Sequence, residues 1–85
     1  MIVEKVKIDG SGKGVDGWFT LNRANVSYDH PFHVSMEHAL NIDFVNEDLE
    51  PGARVAIELS ERAARSLVDA ILDVLLQAEA GGHLG

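Results

Sequence analysis

Apolar and polar residues alternate along several stretches of the chain, with the period of two that is typical of strands with one buried face. The longest alternation runs from Val34 to Val45 and predicts one continuous strand, although Ser35–His38 could instead form a short helical turn. The other stretches with this pattern are Ile2–Ile8, Trp18–Leu21, Ala24–Asp29 and Arg54–Leu59.

Turn signals separate these predicted strands. Four glycines lie within Asp9–Gly17, which predicts a flexible loop there. The segment His30–His33 has a proline at the second position of a four-residue turn and predicts a hairpin. Asn46–Gly52, with its Pro-Gly pair, predicts a second turn. The alternation changes parity at Asn22–Arg23, which indicates a bulge or bend.

The period becomes helical after Ser60, a residue type that caps helix N-termini well. Gly81 and Gly82 should end a helix that runs from Glu61 to Ala78 or Glu79. Leu72 and Leu76 widen the apolar arc beyond what an ordinary surface helix needs, so we expect part of it to contact a second copy of the chain. The central apolar stripe consists of Ala64, Leu67, Val68, Ile71, Val74, Leu75 and Ala78.

These elements predict an α+β fold. We expect an antiparallel, mostly sequential sheet of four or five strands with one C-terminal helix packed on one face. The first strand could pair with either the second or the last. Residues 1–80 should form a single domain, and residues 81–85 a flexible tail. The expected core comprises Ile2, Val6, Ile8, Val26, Tyr28, Leu40, Ile42, Phe44, Val55, Ile57 and Leu59 of the sheet and Leu67, Val68, Ile71 and Leu75 of the helix.

Composition narrows the function classes. The chain has 85 residues, no cysteine and a formal net charge of −7. Thiolate metal sites, disulfides and cysteine nucleophiles are therefore excluded. Nucleic acid and anionic lipid would repel such a chain, because its few cations are scattered. The sequence holds no apolar run long enough for a membrane span or a signal peptide, so we expect a cytoplasmic protein.

A cluster of histidines and carboxylates follows the first predicted hairpin. His30, His33, Glu37 and His38 carry the nitrogen and oxygen ligands that zinc and other divalent transition metals use. In a continuous strand His33 and Glu37 would lie about 13 to 14 Å apart, too far to share one ion. A helical turn at Ser35–His38 would bring them together. The metal site therefore depends on the local structure of this segment.

The polar face of the predicted sheet is a second candidate site. Asp29, His33 and Asn41 would be the first residues to bind a small polar ligand or to act as an acid/base pair there. The same alternation is also what the solvated face of an antiparallel sheet requires. Both interpretations remain open at this point.

Several segments of the chain resemble a family of small bacterial proteins classed as a domain of unknown function. The resemblance covers nearly the whole chain and ends at the Glu-Leu-Ser that starts the predicted helix. Because the family has no known activity, it implies domain boundaries but no substrate, cofactor or site residue. The segments that carry it are Gly10–Gly14, Gly17–Phe19, Asn25–His33 and Glu37–Phe44.

Three function hypotheses follow. The first is a small non-enzymatic binding or accessory protein that self-associates as a homodimer, through the wide apolar face of the helix or a sheet edge, and serves a larger protein partner. The second is a metal-binding protein or small metalloenzyme built on the histidine cluster. The third is a ligand-binding protein or metal-free enzyme that uses the polar sheet face.

Overall fold

Four strands and one helix make up the protein in a computed structural model that describes residues 2–49 and 53–84. All neighbouring strands are antiparallel, and their order in the sheet is β1-β2-β3-β4. This confirms the predicted α+β fold and its sequential sheet, with the first strand beside the second. The elements are β1 (Ile2–Gly14), β2 (Gly17–Asp29), β3 (Ala39–Val45), β4 (Arg54–Leu59) and α1 (Glu61–Ala80).

The strand register divides the sheet into two chemically different faces. On the face beside α1, one row across β2, β3 and β4 joins Val26, Ile42 and Ile57. On the opposite face the neighbouring row joins Ser27, Asn41 and Glu58. The predicted separation of apolar and polar residues is therefore present over β2, β3 and β4. We call the second surface the polar face.

The prediction of a flexible loop over Asp9–Gly17 is wrong. β1 continues to Gly14, and Val15 and Asp16 form a tight turn to β2. Gly17 supplies the positive φ of 111° at this turn. A Cβ at Gly12 would lie 3.0 Å from Leu21 Cδ1, and one at Gly14 would lie 3.2 Å from the Phe19 ring. These two glycines therefore allow close packing inside a hairpin and are not a sign of mobility.

The expected irregularity near Asn22–Arg23 is present, with its extra residue on the opposite strand. The register of β1 and β2 shifts between Lys7 and Gly10, where β1 has one more residue than β2. Residues three positions apart in a regular strand lie on opposite faces. Leu21 and Ala24 of β2 are nevertheless both buried, because the register shift interrupts the alternation between them. The sheet therefore bends at this bulge.

The predicted strand over Val34–Val45 begins only at Ala39. Residues 30–38, here named the histidine loop, form bends instead of a strand or a helical turn. Their backbone N–H groups at 32–34 bind the Glu58 carboxylate and are not available for pairing with another strand. Met36 has the same parity as Val34 and Leu40, which a continuous strand would place on the apolar face, yet it is 40% exposed. The predicted turn over Asn46–Gly52 falls between β3 and β4, with residues 50–52 outside the described part of the chain.

Both ends of α1 have the expected caps. The Ser60 hydroxyl accepts a hydrogen bond from the N–H of Ala63 at 3.1 Å. At the other end the N–H of Gly82 donates to the Glu79 carbonyl and that of His83 to the Ala78 carbonyl, which is the Schellman arrangement. The flexible tail over 81–85 stays a prediction. Within the described residues, no helix has the length and hydropathy to cross a membrane.

The helix contacts the sheet mainly through its first turns. Only one residue, Ser60, separates β4 from α1, so the chain has no linker that would let the helix lie flat across the sheet. Ala64 is buried, whereas Leu67, Val68, Ile71 and Leu75, expected to complete the core, are 42 to 54% exposed. The radius of gyration is 14.6 Å, against about 12 Å for a compact domain of this length. The single chain therefore has an open shape.

Candidate functional site

Glu58 organises the histidine loop from the neighbouring edge of the sheet. Its carboxylate lies on the polar face, where β4 pairs with Asn41 of β3. Oε1 accepts the backbone N–H groups of His33 and Val34, each at 3.0 Å, and Oε2 accepts that of Phe32. Three successive amides around one carboxylate form an anion-binding nest. The loop is thus held in place by one charged side chain.

This nest stabilises the ionised form of the Glu58 carboxyl group. The Phe32 N–H lowers the pKa of the Glu58 carboxyl most, and the Val34 and His33 amides lower that pKa further. Loss of water from the carboxylate acts in the opposite direction, and the His33 ring adds a smaller favourable charge interaction. The pKa of Glu58 is therefore below its ordinary value, and the carboxylate stays ionised at neutral pH.

Two histidines of the loop stack on one another and on a tyrosine of β2. The ring centroids of His30 and His38 are 4.7 Å apart, and those of His38 and Tyr28 are 5.8 Å apart. Nδ1 of His30 lies 2.8 Å from the Glu37 carbonyl oxygen. Because this contact is with a carbonyl, Nδ1 of His30 carries the proton and donates. The stack ties both ends of the loop to the sheet.

The residues predicted to hold a metal are distributed along this loop. His30 and His38 face each other through their rings, and the His33 backbone binds Glu58. Glu37 contacts His30 through its backbone carbonyl. Over residues 2–49 and 53–84, no three His, Asp or Glu side chains are grouped so that they could hold one ion. The metal site built on His30, His33, Glu37 and His38 stays a prediction.

The three residues predicted to bind a ligand lie around the same end of the sheet. Asp29 Oδ1 accepts the His30 N–H at 2.8 Å, in the role of turn former that its sequence position indicates. Asn41 Nδ2 donates to the Ala39 carbonyl at 3.3 Å, while its Oδ1 is buried without a hydrogen-bond partner among the described residues. Ligand binding by Asp29, His33 and Asn41 also stays a prediction.

An open groove lies on the other face of the sheet, between the sheet and α1. It has a volume of about 740 Å³. Tyr28, which stacks on His38, also lines this groove, so the histidine loop and the groove meet at one side chain. The sheet residues that line the groove are largely apolar, whereas the helix residues include both apolar and charged side chains. The lining residues are Val26, Tyr28 and Leu40 of the sheet and Glu61, Ala64, Arg65, Val68 and Asp69 of the helix.

The remaining helix surface is mostly apolar. Five members of the central stripe, namely Leu67, Ile71, Val74, Leu75 and Ala78, do not line the groove. Seven large side chains between Leu67 and Leu76 are 42 to 63% exposed. We call this surface the helix stripe. Contiguous apolar exposure on this scale marks an interaction site more often than solvent-facing surface.

One protein-family model matches residues 1–84 of the chain. The chain belongs to DUF6295, a family of unknown function. No curated protein and no solved structure matches this DUF6295 chain. The family, being of unknown function, assigns no role to any residue of the chain.

Sequence reasoning missed Glu58, which organises the candidate site of this DUF6295 protein. The alternation placed Glu58 on the polar parity of β4, and the structure agrees. Its contacts, however, are with residues 24 to 26 positions earlier in the chain. No local pattern carries information about a partner at that separation. Only the pairing of β3 with β4 brings Glu58 beside Asn41 and next to the histidine loop.

Proposed function

We propose that this DUF6295 protein is a small, non-enzymatic accessory protein of the bacterial cytoplasm that acts as a homodimer and serves a larger protein partner. The observation that carries the proposal is the exposed helix stripe. Its seven large apolar side chains stay 42 to 63% exposed in the described part of the chain, because the helix leaves the sheet after its first turns.

The area available supports self-association. The seven side chains between Leu67 and Leu76, each about half exposed, offer roughly 700 Å² of apolar surface per copy, close to the about 800 Å² per partner of a standard interface. Ile2 and Val6 on the same side of the sheet are 70% and 47% exposed and would add to it. A second copy supplies an identical apolar surface, which is the simplest partner for it.

The opposite side of the molecule is suited to a different contact. A dimer joined through the helices would leave the polar face, with Ser27 and Asn41, directed outward. The histidine loop, anchored by Glu58, borders that face. We propose that the larger protein partner binds on this side. The carboxylates and amides there favour a polar contact over an apolar one.

Sedimentation velocity at micromolar concentration tests the dimer. We expect wild-type protein to sediment as a species of twice the 9.2 kDa chain mass. Leu67→Glu places a charge in the helix stripe and should weaken the dimer by at least about 100-fold, since burying an unpaired carboxylate is strongly unfavourable. Ser66→Glu adds the same charge at the adjacent position on the polar side of the helix and is the matched control.

The expected pattern is a monomeric Leu67→Glu variant beside a dimeric Ser66→Glu variant. Wild-type protein that stays at 9.2 kDa over the whole concentration range would show that the proposal is wrong. Equal association of the two variants would show that the helix stripe is not the contact. Circular dichroism of both variants confirms that the helix is intact in the comparison.

A further inference from the structure

The spacing of the apolar side chains along α1 bears on how two copies would pack together. Apolar positions of the central stripe recur every three or four residues, through Ala64, then Leu67 and Val68, then Ile71, then Val74 and Leu75, then Ala78. This average of 3.5 residues is the spacing of helices that pack along each other in a left-handed crossing. The stripe is thus better suited to a second helix than to a flat surface.

The central apolar stripe from Ala64 to Ala78 is a palindrome centred on Ile71, whereas the flanking Leu72 and Leu76 have Ala70 and Ser66 at their mirror positions. Counting outward from Ile71 in either direction, the apolar positions hold valine, leucine and alanine at the same separations. The matching pairs are Val68 with Val74, Leu67 with Leu75, and Ala64 with Ala78. A two-fold axis that is perpendicular to the two helices and passes Ile71 makes them antiparallel and places each residue against its mirror position. An antiparallel pair would therefore join valine with valine and leucine with leucine.

Resting on the proposed function, we infer that the two α1 helices of a homodimer pack antiparallel through the helix stripe, with the two-fold axis at Ile71. Leu67 then contacts Leu75 of the partner subunit, and Ile71 contacts Ile71 of the partner subunit. Ala64 already rests on its own sheet, so the contact runs from Leu67 to Leu75. The small side chain of Ala78 lets the helix end approach the partner.

Charge is consistent with the antiparallel direction. The first half of α1 balances Arg62 and Arg65 against Glu61 and Asp69, with Arg65 paired to Glu61 at 2.7 Å, while the second half carries Asp73 and Glu79 and its last turn has no basic residue. In an antiparallel pair Arg65 comes to the level of the partner's last turn. The two helix dipoles also oppose each other in that direction, whereas a parallel pair would place the like-charged ends together.

Disulfide cross-linking tests the geometry directly, because the protein has no cysteine of its own. The probes are the single variants Leu67→Cys, Ile71→Cys and Leu75→Cys, oxidised under mild conditions, with Ser66→Cys on the polar side as control. In the inferred pair Leu67 is about 12 Å along the axis from Leu67 of the partner subunit, since eight residues rise by that much. A disulfide requires Cα atoms within about 7 Å.

We expect Ile71→Cys to form a covalent dimer, and Leu67→Cys and Leu75→Cys to cross-link only when the two are mixed. The mixture gives a result even if Ile71→Cys does not fold. Equal cross-linking of all three single variants would indicate parallel helices and overturn the inference. Protein that sediments as a dimer but is not cross-linked through Leu67→Cys, Ile71→Cys or Leu75→Cys would also overturn the inference, although the proposed dimer itself would stand. A wild-type monomer at every concentration would overturn both.

Discussion

Gly12 offers the sharpest test of how the hairpin packs on the sheet. A methyl group added at this position would lie 3.0 Å from Leu21 Cδ1 and 3.3 Å from Val55 Cγ2. Leu21 is buried and Val55 half-buried, so neither has free space into which to move. We expect Gly12→Ala to destabilise the protein by about 1 kcal/mol, at the lower end of overpacking costs because only one carbon is added.

Gly10 in the same strand is the matched control. A Cβ there meets no atom within 4 Å, and its φ is not positive. Gly10→Ala should stabilise the protein by about 0.5 kcal/mol, because alanine loses less backbone entropy on folding. The two variants should therefore differ by about 1.5 kcal/mol, or about 6 to 12 °C in Tm for a chain of this size.

Thermal and urea unfolding at one fixed protein concentration measure this difference. If Gly12→Ala is as stable as Gly10→Ala, the close approach of β1 to Leu21 is wrong. Leu21→Val, which removes the atom nearest to the added methyl group, identifies the cause. In the Gly12→Ala background it should cost about 1 kcal/mol less than in the wild-type background, and additivity of the two changes would contradict the contact.

Two further predictions concern the loop and the helix cap. Glu58→Gln should shift the NMR signals of the backbone amides at 32–34 in the histidine loop, because the anion that they bind is lost. The pKa of Glu58 is lower in the folded than in the unfolded chain, so the stabilisation is present above pH 4.5 and lost as pH falls through the folded pKa, and the wild-type signals should shift together in that acid range. Unchanged amide signals in the variant would refute the nest. Ser60→Ala removes the bond to the Ala63 N–H and should lower the free energy of unfolding by about 1 kcal/mol, against almost no change for Ser66→Ala in urea unfolding.

The elements with local signals were predictable from the sequence. Ser60 and the Gly81–Gly82 pair act through hydrogen bonds to residues within a few positions, and they gave the helix bounds to within two residues. The division of β2, β3 and β4 into two faces followed from the period of two. These features depend on neighbours along the chain, so that a single sequence contains the information for them.

The errors occurred where distant residues decide the local structure. The glycines at 12 and 14 resemble those of a mobile loop, and only the positions of Leu21 and Phe19 show why side chains are absent there. The histidine loop has a strand-like alternation, yet Glu58 binds its amides from another strand. All four candidate metal residues lie in this same segment, which is why their arrangement could not be obtained from spacing alone.

The proposed self-association would also stabilise the fold. The buried apolar residues of the described chain are few, and three of the five are alanines, at positions 24, 39 and 64. Small side chains contribute little hydrophobic free energy, so a single copy has a weak core for a chain without disulfides. Pairing of the helix stripe would bury more large side chains than the isolated chain does. Binding that favours the folded state raises Tm with concentration. A wild-type Tm that rises with protein concentration, beside a constant Tm for Leu67→Glu, would therefore connect the exposed helix surface to the folding of the whole domain.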